Sequence, residues 1–199
     1  LMLGLSFVLF ACEKNDPENE VTMIIDHEYA NLSGITDDQI EATRQSLHIA
    51  YGHTSHGSQI TSGMTGLVGF KGDKFAWNNG GTDGALDLHD YAMSGDLGNP
   101  YFTEWEVKTR AYLGNNPDVN VIIWSWCGQV SAASEANIDT YLGLMAGLEE
   151  DFPDVTFVYM TGHLDGTGLT GNLHLRNEQI RYYCRENNKF LYDFADIES

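Results

Sequence analysis

The feature that most constrains the fold of this sequence is a nearly continuous apolar run at residues 120–126, NVIIWSW. A run of this kind is typical of a strand that is covered on both faces, as in a parallel sheet flanked by helices. Further apolar runs predict strands at 47–51, 156–160 and 190–195, and segments with helical periodicity separate these runs. Alternating strands and helices predict an α/β fold with a mostly parallel sheet and right-handed crossovers.

The clearest helix start lies at Thr36, which forms a capping box with Gln39. Further helices are predicted where apolar residues recur at helical spacing, at 59–67, 102–113, 134–150 and 172–187. The segment 71–101 is rich in Gly, Asn and Asp, so it predicts a long irregular connection with one short strand at 85–88. Connections of this length in compact domains are often functional.

The charge balance is strongly acidic. The chain carries 10 Lys and Arg residues against 29 Asp and Glu residues, for a net charge of −19. Such a balance argues against nucleic acid and anionic lipid surfaces as binding partners. The sequence contains no CxxC pair, so zinc-ribbon and thioredoxin sites are not indicated, and we expect no cofactor.

The N-terminal segment Leu1–Ala11 is apolar and uncharged, and Cys12 follows it. It is too short to span a membrane and fits the core of a secretory signal. Residues 9–12, LFAC, resemble a bacterial lipobox, which implies a lipoprotein of the bacterial cell envelope that is anchored to the membrane through lipidated Cys12; a cleaved ordinary signal and a buried strand are the alternatives. The predicted organisation is a signal at 1–12, a flexible tether at 13–30 and one α/β domain at 31–199.

The other two cysteines, Cys127 and Cys184, leave two alternatives open. Outside the cytoplasm they could form a disulfide bond, provided that their Cα atoms lie close enough. Alternatively, they are buried free thiols, because Cys127 ends an apolar run and Cys184 lies on a predicted helix.

The segment 47–59, LHIAYGHTSHGSQ, concentrates chemical groups where a strand gives way to a helix. In open α/β sheets ligands bind at this edge, and a helix N-terminus there offers backbone N–H groups to an anion or oxyanion. Ser55 could act as a nucleophile if a histidine accepts its proton. The competing interpretation is that Ser55 caps the following helix. His53 and His56 lie beside it, His53 as a candidate catalytic residue and His56 as a candidate for binding the oxyanion or substrate, and one of the two is expected to be structural.

Two other predicted strands end in polar groups that would meet this segment at one sheet edge. Gln129 follows the strand at 120–126 and could donate to an oxyanion or a substrate. His163 and Asp165 follow the strand at 156–160, where His163 would be the general base and Asp165 its orienting partner. Asn172, at the start of the last helix, would lie close to the same edge and contact substrate.

A metal-dependent hydrolase is a further alternative, with His53, His56, His163 and Asp165 as ligands. No carboxylate lies within a helical turn of His53 and His56, and metal sites require three or four ligands. We therefore expect no metal in this site.

Three motifs together resemble the SGNH (GDSL-like) hydrolase superfamily, and in particular a group of bacterial secreted proteins and lipoproteins with His-x-Ser in the first block. They are Gly-His-x-Ser at 52–55, the Gly-amide turn at 128–129, and DFADIES after the last strand. The resemblance spans about residues 35–199. It implies a flavodoxin-like, three-layer α/β/α fold and hydrolysis of esters, often on decorated carbohydrates.

The resemblance also implies roles for individual residues. Ser55 would be the nucleophile, Gly98 the second-block glycine, and Gln129 would stand where the family has Asn. The first block reads GHTS rather than GDS, and no Asp-x-x-His follows the last strand. The catalytic histidine is therefore expected beyond Ser199, or His163 or His53 takes its place.

The sequence thus predicts an esterase or deacetylase that acts on small-molecule or carbohydrate esters. The alternative is a non-catalytic, glycan-binding surface lipoprotein of the same fold, with a cleft that carries tryptophans. Trp124 and Trp126 face the same side of their strand, as core residues or as a cleft wall.

Overall fold

The computed structural model describes residues 23–199, and the predicted α/β fold is confirmed there. One sheet contains seven strands: β1 (Ile24–Ile25), β2 (His48–Gly52), β3 (Trp77–Asn78), β4 (Leu86–Asp90), β5 (Val121–Trp124), β6 (Thr156–Met160) and β7 (Phe190–Tyr192). The α-helices are α1 (Asp37–Ser46), α2 (Ser58–Lys71), α3 (Glu104–Asn115), α4 (Glu135–Asp151), α5 (Asn172–Glu186) and α6 (Phe194–Ile197).

The sheet is parallel throughout and has the order β1-β7-β6-β5-β2-β4-β3. Its five central strands, numbered among themselves along the chain, follow the flavodoxin-like order 2-1-3-4-5. The order reverses between β2 and β5, so the connections that follow these two strands leave in opposite directions. A crevice therefore opens at their carboxyl ends, which is where such sheets bind ligands.

Local capping explains where two of the helices begin. At α1, the Thr36 hydroxyl accepts a hydrogen bond from the Gln39 backbone N–H at 3.2 Å, and the Gln39 side chain accepts one from the Thr36 N–H at 2.9 Å. Ser134 and Asn137 form the same reciprocal pair at the start of α4. Each cap stabilises its helix by about 1 kcal/mol.

The two tryptophans of the central strand region belong to the core. Trp124 is 2% exposed and packs against Trp105 of α3, while Trp126 is 1% exposed and packs against Tyr141 of α4. Their indole N–H groups donate to the Thr109 hydroxyl and to the Met160 carbonyl, so burial leaves neither group unpaired. The interpretation that these rings line a ligand cleft is therefore wrong.

Three local differences separate the fold from the sequence-based expectations. Strand β1 pairs with β7 inside the segment 13–30 that was expected to be a tether, so the ordered domain begins before residue 31. Strand β3 lies in the long connection, and its two residues are too few to show an apolar periodicity. The last strand ends at Tyr192, because Asp193 accepts a hydrogen bond from the Asp196 N–H and so starts α6.

The expected lipobox and Cys12 lie outside the described residues. Within residues 23–199, no helix combines the length and the apolar character needed to cross a membrane. Cys127 and Cys184 are free thiols in this part of the chain. Cys184 is buried, and its burial raises the pKa of the thiol. The two cysteines therefore form no disulfide bond with each other in this structure.

Candidate active site

The three polar strand ends that were predicted to converge do meet at the carboxyl edge of the sheet. The segment after β2 contacts the segment after β6, where the rings of His56 and His163 stack with centroids 3.7 Å apart and an interplanar angle of 20°. The segments after β2 and β5 are joined through Asp96, which lies after β4. Its carboxylate accepts a hydrogen bond from the Thr54 hydroxyl and lies 3.5 Å from the Gln129 amide nitrogen.

Ser55 lies exposed at the turn between β2 and α2 in a strained backbone conformation. Its φ angle is 40°, in the left-handed region that residues other than glycine seldom adopt. Holding a residue there costs on the order of 1–3 kcal/mol and is a recurrent feature of active sites. The strain is sustained by the Ser58 hydroxyl, which donates to the Ser55 carbonyl at 2.7 Å, and by Tyr51, which donates to the Gly57 carbonyl at 2.8 Å.

The helix-cap interpretation of Ser55 is wrong. The residue before α2 is Gly57, and the residue before the short 3-10 turn Ser55–Gly57 is Thr54; neither provides a side-chain cap. Among residues 23–199 the Ser55 hydroxyl makes no hydrogen bond. It therefore remains available to a bound substrate.

His163 presents an unprotonated ring nitrogen beside this loop. Its Nδ1 lies 3.0 Å from the Leu164 carbonyl oxygen, which can only accept, so Nδ1 carries the proton in the neutral ring. The lone pair of the neutral imidazole is then on Nε2. This atom is buried and has no hydrogen-bond partner among the described residues. Such a nitrogen can act as a general base once a hydroxyl lies within hydrogen-bond reach; the Ser55 hydroxyl does not hydrogen-bond it in this structure, so a base role requires the two to come together.

Gly128 lies next to the His163 ring. It follows β5 with a φ angle of 95°, and a Cβ added there would lie 3.7 Å from His163 Nε2. That distance is an ordinary contact, so the glycine is required for its backbone conformation rather than for space. His163 thus extends from β6 across the end of β5 to reach the segment after β2.

Asp165 does not orient His163, contrary to the expectation. Its carboxylate accepts hydrogen bonds from the Ser131 hydroxyl at 2.7 Å and from the backbone and hydroxyl of Thr167. These bonds lower the pKa of Asp165 to about 2, with the Ser131 bond as the largest cause. Asp165 therefore ties the loop after β6 to the 3-10 turn after β5, and the Leu164 carbonyl is the group that orients His163.

His53 lies beneath the site rather than in it. It is 1% exposed, and its Nε2 lies 2.6 Å from Asp90 Oδ1 at the end of β4. Its ring packs between Tyr51 and Tyr91, at centroid distances of 4.3 and 4.0 Å. The enclosed ring argues against direct contact between His53 and substrate. Its Nδ1 is nevertheless buried without a hydrogen-bond partner, as His163 Nε2 is, so the missing partner alone does not distinguish the two histidines. We interpret the His53–Asp90 pair as the support of the Ser55 turn.

Gly98 and Gln129 come together as the resemblance implies. A Cβ on Gly98, whose φ angle is 83°, would lie 3.3 Å from the Gln129 Cβ and 3.1 Å from the Trp126 ring. The side-chain oxygen of Gln129, Oε1, accepts a hydrogen bond from the Cys127 backbone N–H at 2.9 Å. This bond directs the side-chain nitrogen of Gln129 toward Asp96. At 3.5 Å that contact is weak, so the amide can donate elsewhere.

Asn172 has a structural role, which corrects its expected place in substrate binding. Its amide nitrogen donates to the carbonyls of Ser131 at 3.1 Å and Ala133 at 2.9 Å. Both hydrogens of the amide are thereby used to hold the turn after β5 against α5.

The four residues of the metal alternative do not form a ligand group. His53 is directed toward Asp90, and Asp165 toward Ser131 and Thr167. In the described part of the chain, three His, Cys, Asp or Glu ligand atoms within 4.8 Å of one another occur at Asp26, His27 and Asp196. The geometry therefore favours proton transfer over metal ligation at the Ser55 turn.

Sequence reasoning missed Asp90 and Asp96. Asp90 is the last residue of β4 and lies two residues beyond the strand predicted at 85–88, so its place at the same sheet edge was a usable signal. Asp96 lies in an irregular segment, and only the folded chain brings it to Thr54 and Gln129.

No known protein-family model matches this chain, and no curated protein matches it. The fold and the site therefore define a class only by structure: a flavodoxin-like α/β protein with a serine, a histidine and an amide at the switch point of its sheet. The resemblance to the SGNH superfamily stays a prediction.

Proposed function

We propose that this domain is an SGNH-like serine hydrolase, an esterase or deacetylase that acts on carbohydrate esters. The observation that carries the proposal is the contact between two loops. His163 stacks on His56, the neighbour of exposed Ser55, and its Nε2, which lies close to Gly128, has no hydrogen-bond partner among the described residues. The strained φ angle of Ser55 and its position at the switch point support the same conclusion.

In the proposed reaction, the Ser55 hydroxyl adds to the ester carbonyl while His163 Nε2 accepts its proton. The protonated His163 then gives this proton to the leaving alcohol, and water hydrolyses the acyl-enzyme by the reverse sequence. The Gln129 amide and the Gly98 backbone N–H would stabilise the oxyanion. Gln129 must exchange its weak contact with Asp96 for this purpose.

Exposed aromatic residues on the connection after β4, which also carries Asp96 and Gly98, favour a carbohydrate as the substrate. Tyr91 and Tyr101 lie after β4 and are 56% and 70% exposed. Tyrosine combines an apolar ring face with a polar tip, and it suits the alternating C–H and hydroxyl surface of a sugar. The same observation serves the second candidate, a non-catalytic glycan-binding protein.

Turnover and labelling distinguish the two candidates. We expect the protein to hydrolyse p-nitrophenyl acetate and to be labelled by a fluorophosphonate at Ser55, located by peptide mass spectrometry. Ser55→Ala should abolish both, whereas Ser62→Ala, an exposed serine on α2, should change neither. Glycan binding that survives Ser55→Ala, with no turnover of any ester, would establish the non-catalytic candidate instead.

We also propose that the protein is a lipoprotein of the bacterial cell envelope, anchored through Cys12. The support is the sequence LFAC at 9–12. A stable anchor requires two or more acyl chains. Metabolic labelling of the full-length protein with a palmitate analogue should give a signal that Cys12→Ser removes and Cys127→Ser retains. Equal labelling of the wild-type and Cys12→Ser proteins would contradict the anchor.

A further inference from the structure

A cavity of about 740 Å³ begins one residue beyond His163. Leu164 and Asp165 form its rim on the side of the site, and Leu169, His174 and Glu178 continue its wall toward α5. Its volume lies in the range of cavities that hold small ligands. Nothing in the reaction described above occupies this space.

The position of the cavity determines which part of an ester could enter it. In the proposed reaction His163 must protonate the leaving alcohol, so the alcohol has to lie against His163. Leu164, next in the chain, lines the cavity, and its N–H donates to Glu198 at 2.8 Å, which holds the rim in place. Because Leu164 directly follows His163, we infer that the cavity lies on the side of the site where the alcohol half of the substrate would extend. This step rests on the proposed hydrolase function.

The charges around the cavity are predominantly negative. Two guanidinium groups line it, and Arg181 is already neutralised by two bonds to Asp193, at 2.6 and 2.7 Å, and one to Glu178 at 2.7 Å. Five carboxylates line the cavity, at Asp26, Asp165, Glu178, Asp193 and Asp196. Because Glu178 and Asp193 are the partners of Arg181, the negative charge that Arg181 does not contact belongs to Asp26, Asp165 and Asp196. Its apolar surface includes Leu164 and Leu169, which are 46% and 78% exposed.

We propose that this cavity binds the alcohol half of the substrate ester and selects an alcohol that carries a positively charged amino group. Leucine side chains contact the carbon skeleton, and the surrounding carboxylates attract the ammonium group. An alcohol that carries a carboxylate or sulfate is disfavoured by the same charges.

Two matched esters test this selection. Acetylcholine and 3,3-dimethylbutyl acetate have almost the same shape and differ in charge. We expect kcat/KM to be about tenfold higher for the cationic ester, the effect of one or two partly exposed charges at close range. Choline should inhibit the hydrolysis of p-nitrophenyl acetate more strongly than 3,3-dimethylbutanol does.

Charge-removing variants that keep the shape of the cavity sharpen the test. Asp26→Asn retains an oxygen that can accept from the Glu28 N–H, as Asp26 does at 3.0 Å, and it removes one negative charge. Glu178→Gln removes another. Each should lower the ratio of kcat/KM for acetylcholine to kcat/KM for 3,3-dimethylbutyl acetate severalfold. Asp154→Asn, an exposed acidic position that does not line the cavity, should leave this ratio unchanged.

The outcomes separate the two proposals. If p-nitrophenyl acetate is hydrolysed in a Ser55-dependent way but both esters react equally in every variant, the cavity assignment is wrong and the hydrolase stands. If no ester is hydrolysed and Ser55 is not labelled, the hydrolase proposal itself fails, and the alcohol subsite fails with it.

Discussion

Two histidine clusters at different places on the sheet show what makes an imidazole chemically available. His48, the first residue of β2, and His89 of β4 share the carboxylate of Asp87, at 2.8 and 3.1 Å, and the second ring nitrogen of His89 pairs with the Tyr112 hydroxyl. At the carboxyl edge, His163 has one nitrogen paired with a carbonyl and the other without a partner. His89 has no ring nitrogen left for a substrate, whereas His163 does.

Residue type alone does not identify a catalytic histidine. Two histidine ring nitrogens in the described part of the chain are buried without a partner, His163 Nε2 and His53 Nδ1, and the His53 ring is enclosed between two tyrosine rings. Buried polar groups are normally paired, and an exception requires an explanation. In the His48–Asp87–His89 cluster the pairing holds strands and α3 together. In the His56–His163 stack the missing partner marks the place where a reacting hydroxyl is expected.

Removing each histidine in turn tests whether His163 serves catalysis and His89 serves stability. We expect His163→Ala to lower kcat for p-nitrophenyl acetate by about 10²–10⁴-fold, because a general base contributes that much. The free energy of unfolding should change little. His89→Ala should do the opposite: activity per folded molecule is retained, and stability falls by about 1–3 kcal/mol, since Asp87 and Tyr112 lose a partner. Steady-state kinetics and urea unfolding measure the two effects, and equal kinetic losses would refute the distinction.

A second prediction concerns the pair that lies between these extremes. His53 is buried and bonded to Asp90 like a structural histidine, yet it holds the Ser55 turn. Asp90→Ala should lower kcat by up to about 100-fold through misplacement of Ser55, with a much smaller change in KM. Asp90→Asn, which keeps an acceptor oxygen, should recover part of the loss. Unchanged kcat in a folded Asp90→Ala protein would remove His53 from the positioning of the site.

Glycines of the same segment provide a smaller and purely structural test. A Cβ on Gly57 would lie 2.4 Å from the His53 Cβ, whereas one on Gly66 of α2 would meet nothing within 4 Å. Gly57→Ala should therefore destabilise the fold by about 1–3 kcal/mol through overpacking. Gly66→Ala should stabilise it by about 0.5–1 kcal/mol, since alanine favours a helix interior. Thermal unfolding of both variants checks the opposite signs.

The smallest expected effect concerns an exposed histidine, His27, which pairs with Asp196 at 2.6 Å and joins the β1 segment to α6. The bond to Asp196 raises the pKa of His27 above 6.5, and the bonds from His27 lower the pKa of Asp196 below 3.8. The stabilising effect of His27 is complete below pH 6.5 and is lost as the pH rises through its folded pKa. That of Asp196 is complete above pH 3.8 and is lost on acidification.

Hydrogen exchange at residues 24–29 should therefore be slowest between about pH 4 and 6.5, after correction for the intrinsic pH dependence of exchange. Asp196→Asn should flatten this profile. A profile that keeps its minimum in Asp196→Asn would show that another group controls the docking of β1.

Much of the fold could be predicted from the sequence because apolar periodicity reports local structure. The strand at 156–160 and the capping box of α1 occur where they were expected. The two-residue strands β1 and β3 were missed, because a strand of that length carries no period and forms only when a neighbour offers its edge. The end of β7 was misjudged because Asp193 had not been recognised as a cap.

Within the candidate site, the residue types and their positions at strand ends of a parallel sheet establish which chemical groups are present and which edge they share. They predict that the segments carrying Ser55, Gln129 and His163 meet at that edge. The hydrogen-bond partners depend on the folded chain: Asp165 bonds to Ser131, Asn172 to backbone carbonyls, and His53 to Asp90. The physical reason is that hydrogen bonds act over about 3 Å, so a rotamer or a loop turn redirects a side chain without any change in the pattern along the chain.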